Sequence, residues 1–248
     1  MDLVDTDFSV SEGKVSSVDP GSLSQLPRSI KDILLMIFDK EQMRSQMLRF
    51  QLDLDKMPLG KLSRKQITSA FSVLTELQTL MIDDRDEIKI IDASNRFYTL
   101  IPHNFGMDKP PLLRSIDVIK EKCAMLDSLL DMQIAYQVIK EETKEETEKE
   151  RDPVDVYYEK LKCKLEVVEH GSAEFNTIKA YMDNTHGETH TMFDLEIVDI
   201  IRVDREGEDE RFKAELGNRM LLWHGSATAN YGGILSQGLR IAPPEAPM

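Results

Sequence analysis

A run of charged and polar residues without a single apolar side chain, Lys140–Asp152, divides the sequence into two parts whose hydrophobic patterns differ. Before this run, apolar residues recur at three- and four-residue steps, which is the period of an α-helix. After it, short apolar stretches with alternating character are mixed with helical patterns. The run predicts a solvated linker over residues 141–152, although an extension of the preceding helix into solvent would have the same composition.

Residues 25–140 show the periodicity of an all-helical bundle. Early in this part, one apolar helix face is formed by Ile30, Ile33, Leu34 and Ile37. A longer face is formed by Ile116, Ile119, Cys123, Leu126 and Leu130. Between these two helices, Ser63 and Gln66 have the spacing of a capping box, which predicts that a helix begins there. Several helices that each present one apolar face indicate a bundle around a shared core.

Residues 153–248 predict a mixed α/β domain. Strands are predicted over Lys164–Val168, Phe193–Val203 and Met220–Trp223. Helices are predicted over Ala173–Met182 and Thr228–Gln237, and Gly238 is expected to end the second one. The fold class is therefore α+β, with an N-terminal helical bundle followed by a mixed α/β part.

The composition restricts the possible functions. A formal net charge of −14 repels nucleic-acid phosphates, so direct binding of DNA is not expected. Cys123 and Cys163 lie in no metal-ligand spacing, which predicts reduced thiols and no metal site. We expect no membrane partner, because the sequence shows no secretory signal and no apolar run of the roughly 20 residues that span a bilayer. Residues 1–24, rich in Ser, Asp and Gly, predict a flexible lead-in.

Several short motifs occur in the order found in one enzyme family. The most informative are Leu221–Ser226 (LLWHGS) and Gly233–Pro247 (GILSQGLRIAPPEAP), and they are preceded by Met57–Ser63 (MPLGKLS), Ser94–His103 (SNRFYTLIPH) and Arg205–Glu208 (REGE). Together they resemble the poly(ADP-ribose) polymerases. The helical part resembles the regulatory domain of the DNA-dependent members. Residues 153–248 resemble the N-terminal part of their ADP-ribosyltransferase catalytic domain, so that domain is partial here.

This resemblance implies an enzyme that uses NAD as its substrate. Such enzymes cleave the bond between nicotinamide and ribose and transfer ADP-ribose to proteins, then to growing ADP-ribose chains. Members with this helical domain act in the nucleus in response to DNA damage. The implied partners are therefore NAD and acceptor proteins, with DNA contacted only indirectly through domains outside this sequence.

The resemblance also assigns roles to individual residues of the NAD-binding site. The backbone N–H and C=O of Gly225 would bind the carboxamide of nicotinamide, and the missing Cβ would let the ring approach closely. His224 would bond a ribose hydroxyl of the adenosine half, with Ser226 beside it in the groove. Gly233 would let the dinucleotide lie against the short helix, and Arg240 would reach the adenosine end.

The sequence departs from the family in what it lacks. The tyrosine on which nicotinamide stacks and the catalytic glutamate both follow the Pro-Pro-Glu-Ala-Pro motif in the family, and neither is present here. No catalytic residue is therefore assigned, and this chain alone is expected to be inactive. The alternative is a non-catalytic regulatory or interaction module from a short gene product. A smaller departure is Ala227, where some relatives carry a basic residue.

A polar stripe at helical spacing, Asp92, Asn95 and Arg96, permits two interpretations. In the family, the helical domain covers the NAD groove and restrains access to it, and this stripe would fit such a cover. A solvated helix face would have the same pattern. The sequence leaves both interpretations open.

Overall fold

The computed structural model describes residues 23–83, 86–145, 151–185, 195–239 and 246–247. The first part is helical, as predicted. Its helices are α1 (Arg28–Ile37), α2 (Lys40–Arg49), α3 (Arg64–Asp83), α4 (Glu87–Leu100) and α5 (Ile116–Glu145). We call residues 23–145 the helical bundle and the described residues from 151 onward the α/β part.

Aspartates begin several of the helices. The Asp39 carboxylate accepts hydrogen bonds from two backbone N–H groups in the first turn of α2, at 2.7 and 3.3 Å. Asp86 caps α4 in the same way. These side chains bond N–H groups that have no partner within the helix. The predicted capping box at Ser63 takes another form, because the Gln66 amide donates to the backbone carbonyl of Leu100 and joins α3 to the end of α4.

The core of the helical bundle lies between α3, α4 and α5, with α2 packed on α5 and α1 packed mainly on the α/β part. Its largest fully buried side chains include Leu34, Ile37, Met43, Met47, Ile67, Phe71, Leu74, Leu77 and Phe97. The predicted apolar faces of α1 and α5 both contribute to this core. Burial of apolar surface on this scale is the main stabilising contribution to such a bundle.

The boundary between the two parts differs from the predicted linker over 141–152. Helix α5 continues to Glu145, so the first residues of that segment are helical, and residues 146–150 lie outside the described residues. Asp152 then caps the next helix by accepting from the Val154 N–H at 3.0 Å. Most of the predicted lead-in over 1–24 also lies outside the described residues, but Ser24 is buried and bonds Asp155 at 2.6 Å.

The α/β part contains helices α6 (Pro153–Leu161), α7 (Ala173–Thr185), α8 (Glu208–Arg211) and α9 (Tyr231–Gln237), and strands β1 (Cys163–Val167) and β2 (Ile201–Arg205). The strands pair antiparallel, with Cys163 opposite Arg205 and Val167 opposite Ile201. The strand predicted over Lys164–Val168 and the helix predicted over Ala173–Met182 are thus present. The α+β fold class is confirmed.

Two of the predicted strands differ from the structure. The strand predicted over Phe193–Val203 is regular only from Ile201, and residues 193–194 lie outside the described residues. The strand predicted over Met220–Trp223 is wrong, because this segment has no regular secondary structure and its side chains are exposed. A strand needs a neighbouring strand for its backbone hydrogen bonds, and none of the described segments pairs with this one.

Helix α9 packs directly on α5 and joins the two parts of the chain. A Cβ at Gly232 would lie 2.6 Å from the Ala135 Cβ, and a Cβ at Gly233 would lie 2.6 Å from the Asp131 Cα. Real Cβ atoms essentially never approach so closely, so both glycines are needed for this helix contact. The predicted helix over Thr228–Gln237 is present as a 3-10 turn (Thr228–Asn230) followed by α9.

Candidate functional site

The candidate site is formed by His224, Gly225 and Ser226, a segment without regular secondary structure that we call the His-Gly-Ser turn. His224 and Gly225 are exposed, and a Cβ built on Gly225 would meet no atom within 4 Å. Gly225 is also absent from the glycines with positive φ. Neither packing nor backbone conformation in the described residues therefore requires glycine at this position, in contrast to Gly232 and Gly233.

Helix α7 holds the N-terminal side of this turn. The Trp223 ring stacks on the Tyr181 ring with centroids 5.3 Å apart, and Trp223 Nε1 donates to Thr185 Oγ1 at 2.8 Å. The Tyr181 hydroxyl donates to the Leu221 carbonyl at 2.6 Å. These contacts fix the backbone just before His224, although the segment belongs to no strand.

Helix α5 of the helical bundle holds the C-terminal side of the turn. The Asn230 side-chain amide Nδ2 donates to Ser226 Oγ at 3.0 Å. The carbonyl oxygen of the same amide accepts from Ser128 Oγ at 2.7 Å. Ser128 and Asn230 are both buried, so their bond replaces water at the boundary between the two parts. A chain of hydrogen bonds thus connects α5 to the residue next to Gly225.

The other two predicted NAD-binding residues are placed differently. Gly233 is buried, and the position that its Cβ would occupy meets Asp131 of α5. Its glycine is therefore explained by helix packing, and its predicted contact with NAD stays a prediction. Arg240 lies outside the described residues. The structure brings together His224, Gly225 and Ser226, and their binding of NAD also stays a prediction.

Arg205 is a connecting residue that the sequence reasoning did not single out. Its guanidinium is mostly buried, donates to the Ile234 carbonyl at 3.2 Å and is ion-paired with Glu208. A positive group at the carbonyl end of α9 is favourable, because the unpaired carbonyls there carry partial negative charge. Gly238, with φ +82°, leaves room for it, since a Cβ there would lie 2.6 Å from Arg205 Cζ.

A partly buried histidine bonds a buried lysine in the helical bundle. His103 Nδ1 bonds the Ile101 carbonyl at 2.7 Å, and its Nε2 bonds Lys122 Nζ at 3.1 Å. Burial lowers the pKa of His103 to about 4; the bond to the Ile101 carbonyl opposes this shift, and the charge of Lys122 adds to it. The ring is therefore neutral at pH 7, with its proton on Nδ1 and with Nε2 accepting from the lysine. Burial also lowers the pKa of Lys122.

The polar stripe on α4 forms ion pairs on an exposed surface. Arg96 bonds Asp92 at 2.8 Å and reaches Glu76 of α3 at 2.5 Å. All these side chains are well exposed, and so is Asn95. The observed pairing joins two helices of the bundle. An exposed stripe of this kind fits a solvated helix face and a cover facing a groove equally well, so both interpretations stay predictions.

Within the part of the chain that the structure describes, no group of three or more His, Cys, Asp or Glu side chains is arranged to hold a metal ion. No helix in the same residues combines the length and apolarity needed to cross a membrane. Cys163 is buried and Cys123 is partly buried, and neither forms a disulfide. Burial raises the pKa of the Cys123 thiol to about 11, which makes it a poor nucleophile.

Comparison with known proteins agrees with this arrangement. The family model described as poly(ADP-ribose) polymerase, regulatory domain, matches residues 24–158, and the poly(ADP-ribose) polymerase catalytic domain matches residues 172–248. The fold and the site thus define a helical regulatory domain joined to part of a transferase catalytic domain. The chain belongs to the poly(ADP-ribose) polymerase family.

Relatives from distant animals align over nearly the whole chain. Poly [ADP-ribose] polymerase 1 of Danio rerio is 52% identical over 92% of this chain and 22% of its own length. The protein of the same name from Gallus gallus is 50% identical over 94% of this chain and 23% of its own length. That from Caenorhabditis elegans is 46% identical over 99% of this chain and 26% of its own length. The chain therefore spans about a quarter of these relatives.

Proposed function

We propose that this chain supplies the regulatory domain and the nicotinamide-binding turn of an enzyme that transfers ADP-ribose from NAD to proteins. The observation that carries this proposal is Gly225. The described fold does not require glycine there, yet the residue stands in an exposed turn that is held from both sides. A ligand that lies flat against the backbone would require glycine at this position, because any side chain would block its approach.

The turn offers the groups that a primary carboxamide needs. Nicotinamide has an amide N–H₂ that donates and a carbonyl that accepts, and the backbone C=O and N–H of Gly225 are complementary to them. His224 would bond a ribose hydroxyl, with Ser226 next to it. None of these residues moves electrons in bond cleavage. Their contribution is to hold the nicotinamide–ribose bond in one orientation, which lowers the entropic part of the barrier.

We base the proposed cellular role on the family to which the chain belongs. We place the parent enzyme in the nucleus, acting on proteins after DNA damage, with DNA bound by domains outside these residues. The net charge of −14 fits a segment that does not itself contact the nucleic acid. NAD and acceptor proteins are the proposed partners, and no metal ion takes part.

Binding of nicotinamide is the direct test of the turn. We expect a backbone NMR titration of the 248-residue chain with nicotinamide to shift the Gly225 amide resonance and its neighbours. Nicotinic acid is the matched ligand control, because it has the same ring but no amide N–H₂ to donate. Equal shifts with both ligands, or none with nicotinamide, would overturn the proposal.

Two substitutions test whether nicotinamide binds at Gly225. Gly225→Val should abolish the nicotinamide shifts, since its side chain would occupy the space next to the backbone. Ala214→Val is the control, because it adds apolar volume at another exposed position of the α/β part. Nicotinamide binding that survives in Gly225→Val would place the ligand elsewhere.

We also propose that the 248-residue chain binds nicotinamide without cleaving NAD, since no residue in it has the role of the family's glutamate. Incubation with labelled NAD should release no nicotinamide and attach no label to the chain. Robust incorporation of ADP-ribose would contradict this second proposal without affecting the first.

A further inference from the structure

A polar cavity of about 540 Å³ lies where the helical bundle meets the α/β part. Helices α2 and α5 form most of its wall, and Ala227 and Asn230 line its other side. Its size falls within the range of small-molecule sites in proteins, roughly 300–1,000 Å³. It is lined by Ala227 but not by His224, Gly225 or Ser226, so it lies beside the nicotinamide-binding turn and meets it through the bond between Asn230 and Ser226.

The charges in the cavity favour an anion. Arg49, in the last turn of α2, and Lys122, on α5, both line it, against a single carboxylate, Glu121. This surplus of positive charge occurs in a chain whose formal net charge is −14. Lys122 is buried, and its ammonium bonds the neutral ring of His103. The Nε2 acceptor of His103 carries no negative charge, so Glu121 is the one carboxylate in the cavity lining that offsets the charge of Lys122.

The hydrogen-bond donors favour a phosphate over a carboxylate. Besides the two cations, Gln46 and Gln51 line the cavity, and each has a side-chain amide that can donate. A phosphate has enough oxygens to accept from donors on several sides, whereas a carboxylate has two. Phe50 and Met125 supply an apolar wall in the same cavity. The volume exceeds that of a bare phosphate and leaves room for an organic group against that wall.

We propose that this cavity binds a small phosphate-bearing molecule of about the size of a nucleoside monophosphate. Its phosphate is held by Arg49 and Lys122. Because the walls come from both parts of the chain, the bound molecule joins α2 and α5 to the segment that leads into α9. The ligand therefore stabilises the contact between the regulatory domain and the α/β part, and loss of ligand loosens it.

Isothermal titration calorimetry of the full 248-residue chain tests the site. The probe is AMP, with inorganic phosphate as the minimal anion and adenosine as the analogue without phosphate. We expect AMP to bind more tightly than phosphate and adenosine to bind at least about tenfold more weakly than AMP, since it lacks the charge-assisted hydrogen bonds. Equal binding of AMP and adenosine, or no binding of AMP, would overturn the proposal.

Two matched variants on α2 test whether the phosphate of AMP binds next to Arg49. Arg49→Gln should weaken AMP binding about tenfold or more, because it removes one of the two cations. Arg44→Gln is the control: it makes the same charge change on α2, at an exposed position outside the cavity lining. Both side chains are exposed, so both variants should fold. Unchanged AMP affinity in Arg49→Gln would refute the assignment.

A third comparison separates this site from the proposed NAD groove, which would also accept an adenine nucleotide. AMP binding at the cavity should persist in His224→Ala and decrease in Arg49→Gln. The opposite pattern would place AMP in the NAD groove and overturn the inference. The nicotinamide titration is independent of this outcome, so either proposal can fail while the other stands.

Discussion

Phe71 in the helical bundle is fully buried, whereas Trp223 in the α/β part is 55% exposed, although both are large aromatic side chains. The difference extends to their surroundings. Helices α3, α4 and α5 bury their apolar faces against one another, while Leu216, Met220 and Leu222 lie in the open. In the α/β part, many of the buried side chains belong to segments that reach the bundle, such as Ala229 and Leu235.

This comparison shows that the bundle provides much of the core for the α/β part. The two parts share one continuous cluster of buried apolar side chains, which includes Leu161 and Leu165 as well as the bundle interior. The exposed turn at 224–226 lies where that shared core ends. Stability and ligand binding are therefore expected to depend on different residues.

Removal of a large side chain from the bundle interior should have the greatest effect. We expect Phe71→Ala to lower the free energy of unfolding by about 3–5 kcal/mol, because it leaves a cavity in a packed core. Phe212→Ala, in the exposed region of the α/β part, should change it by less than about 0.5 kcal/mol. Urea unfolding followed by circular dichroism measures both. Similar losses would show that the two regions do not differ as described.

The contact between α5 and α9 tests whether the α/β part depends on the bundle. Gly233→Ala places a methyl group against Asp131, so we expect a loss of about 1–3 kcal/mol and faster amide hydrogen exchange in α9. Gly225→Ala is the control, because its Cβ meets open space. If Gly233→Ala leaves exchange in α9 unchanged, the helix contact is not a stabilising one.

Acid should destabilise the bundle through His103. Its folded-state pKa of about 4 lies below the unfolded value of 6.5, so the neutral form is the one that folding favours. The stability is present in full above pH 6.5 and is lost as the pH falls from 6.5 towards 4, because the unfolded chain takes up the proton first. The ring is partly exposed, so we expect a loss of about 1–2 kcal/mol.

A variant isolates this contribution from other titrating groups. His103→Gln keeps a neutral polar side chain, so its stability should fall less between pH 6.5 and 4 than that of the unmodified chain. Thermal unfolding at a series of pH values measures the difference. Parallel pH profiles for the two proteins would exclude His103 as the group responsible.

The buried hydrogen bond between the two parts should contribute least. Ser128→Ala leaves the buried carbonyl of Asn230 without its donor, and we expect a loss of about 1 kcal/mol. Ser69→Ala is the matched control, because that hydroxyl is exposed and bonds only within its own helix. The difference between the two variants in urea unfolding is the quantity to measure. Equal losses in the free energy of unfolding would mean that water replaces the Ser128 hydroxyl as a donor to Asn230 without a loss of stability.

Local patterns predicted the bundle well. The spacing of apolar residues in α1 and α5 depends only on the helical period, so the sequence was sufficient for both helices. Gly238 likewise ends α9, with the positive φ expected of a glycine at such a position. The end of α5 was less predictable, since a charged segment suits both a solvated helix and a linker.

Contacts between distant residues were beyond sequence reasoning. Ser128 and Asn230 are 102 residues apart, and no spacing rule connects them. Arg205 belonged to a recognised motif, but its place beneath Gly238 depends on how β2 lies against α9. The segment Met220–Trp223 has the composition of a strand, and composition cannot supply the neighbouring strand that it would need.

The turn that carries Gly225 is fastened at one end to Thr185 of α7 and at the other, through Asn230, to Ser128 of α5. The distance between its two ends therefore depends on the relative position of two helices, which belong to different domains of the family. Any event that slides one of these helices past the other would reshape the backbone that we propose to bind nicotinamide, with no residue of the turn replaced. A misalignment of about 1 Å at a reacting bond is enough to slow catalysis by about two orders of magnitude.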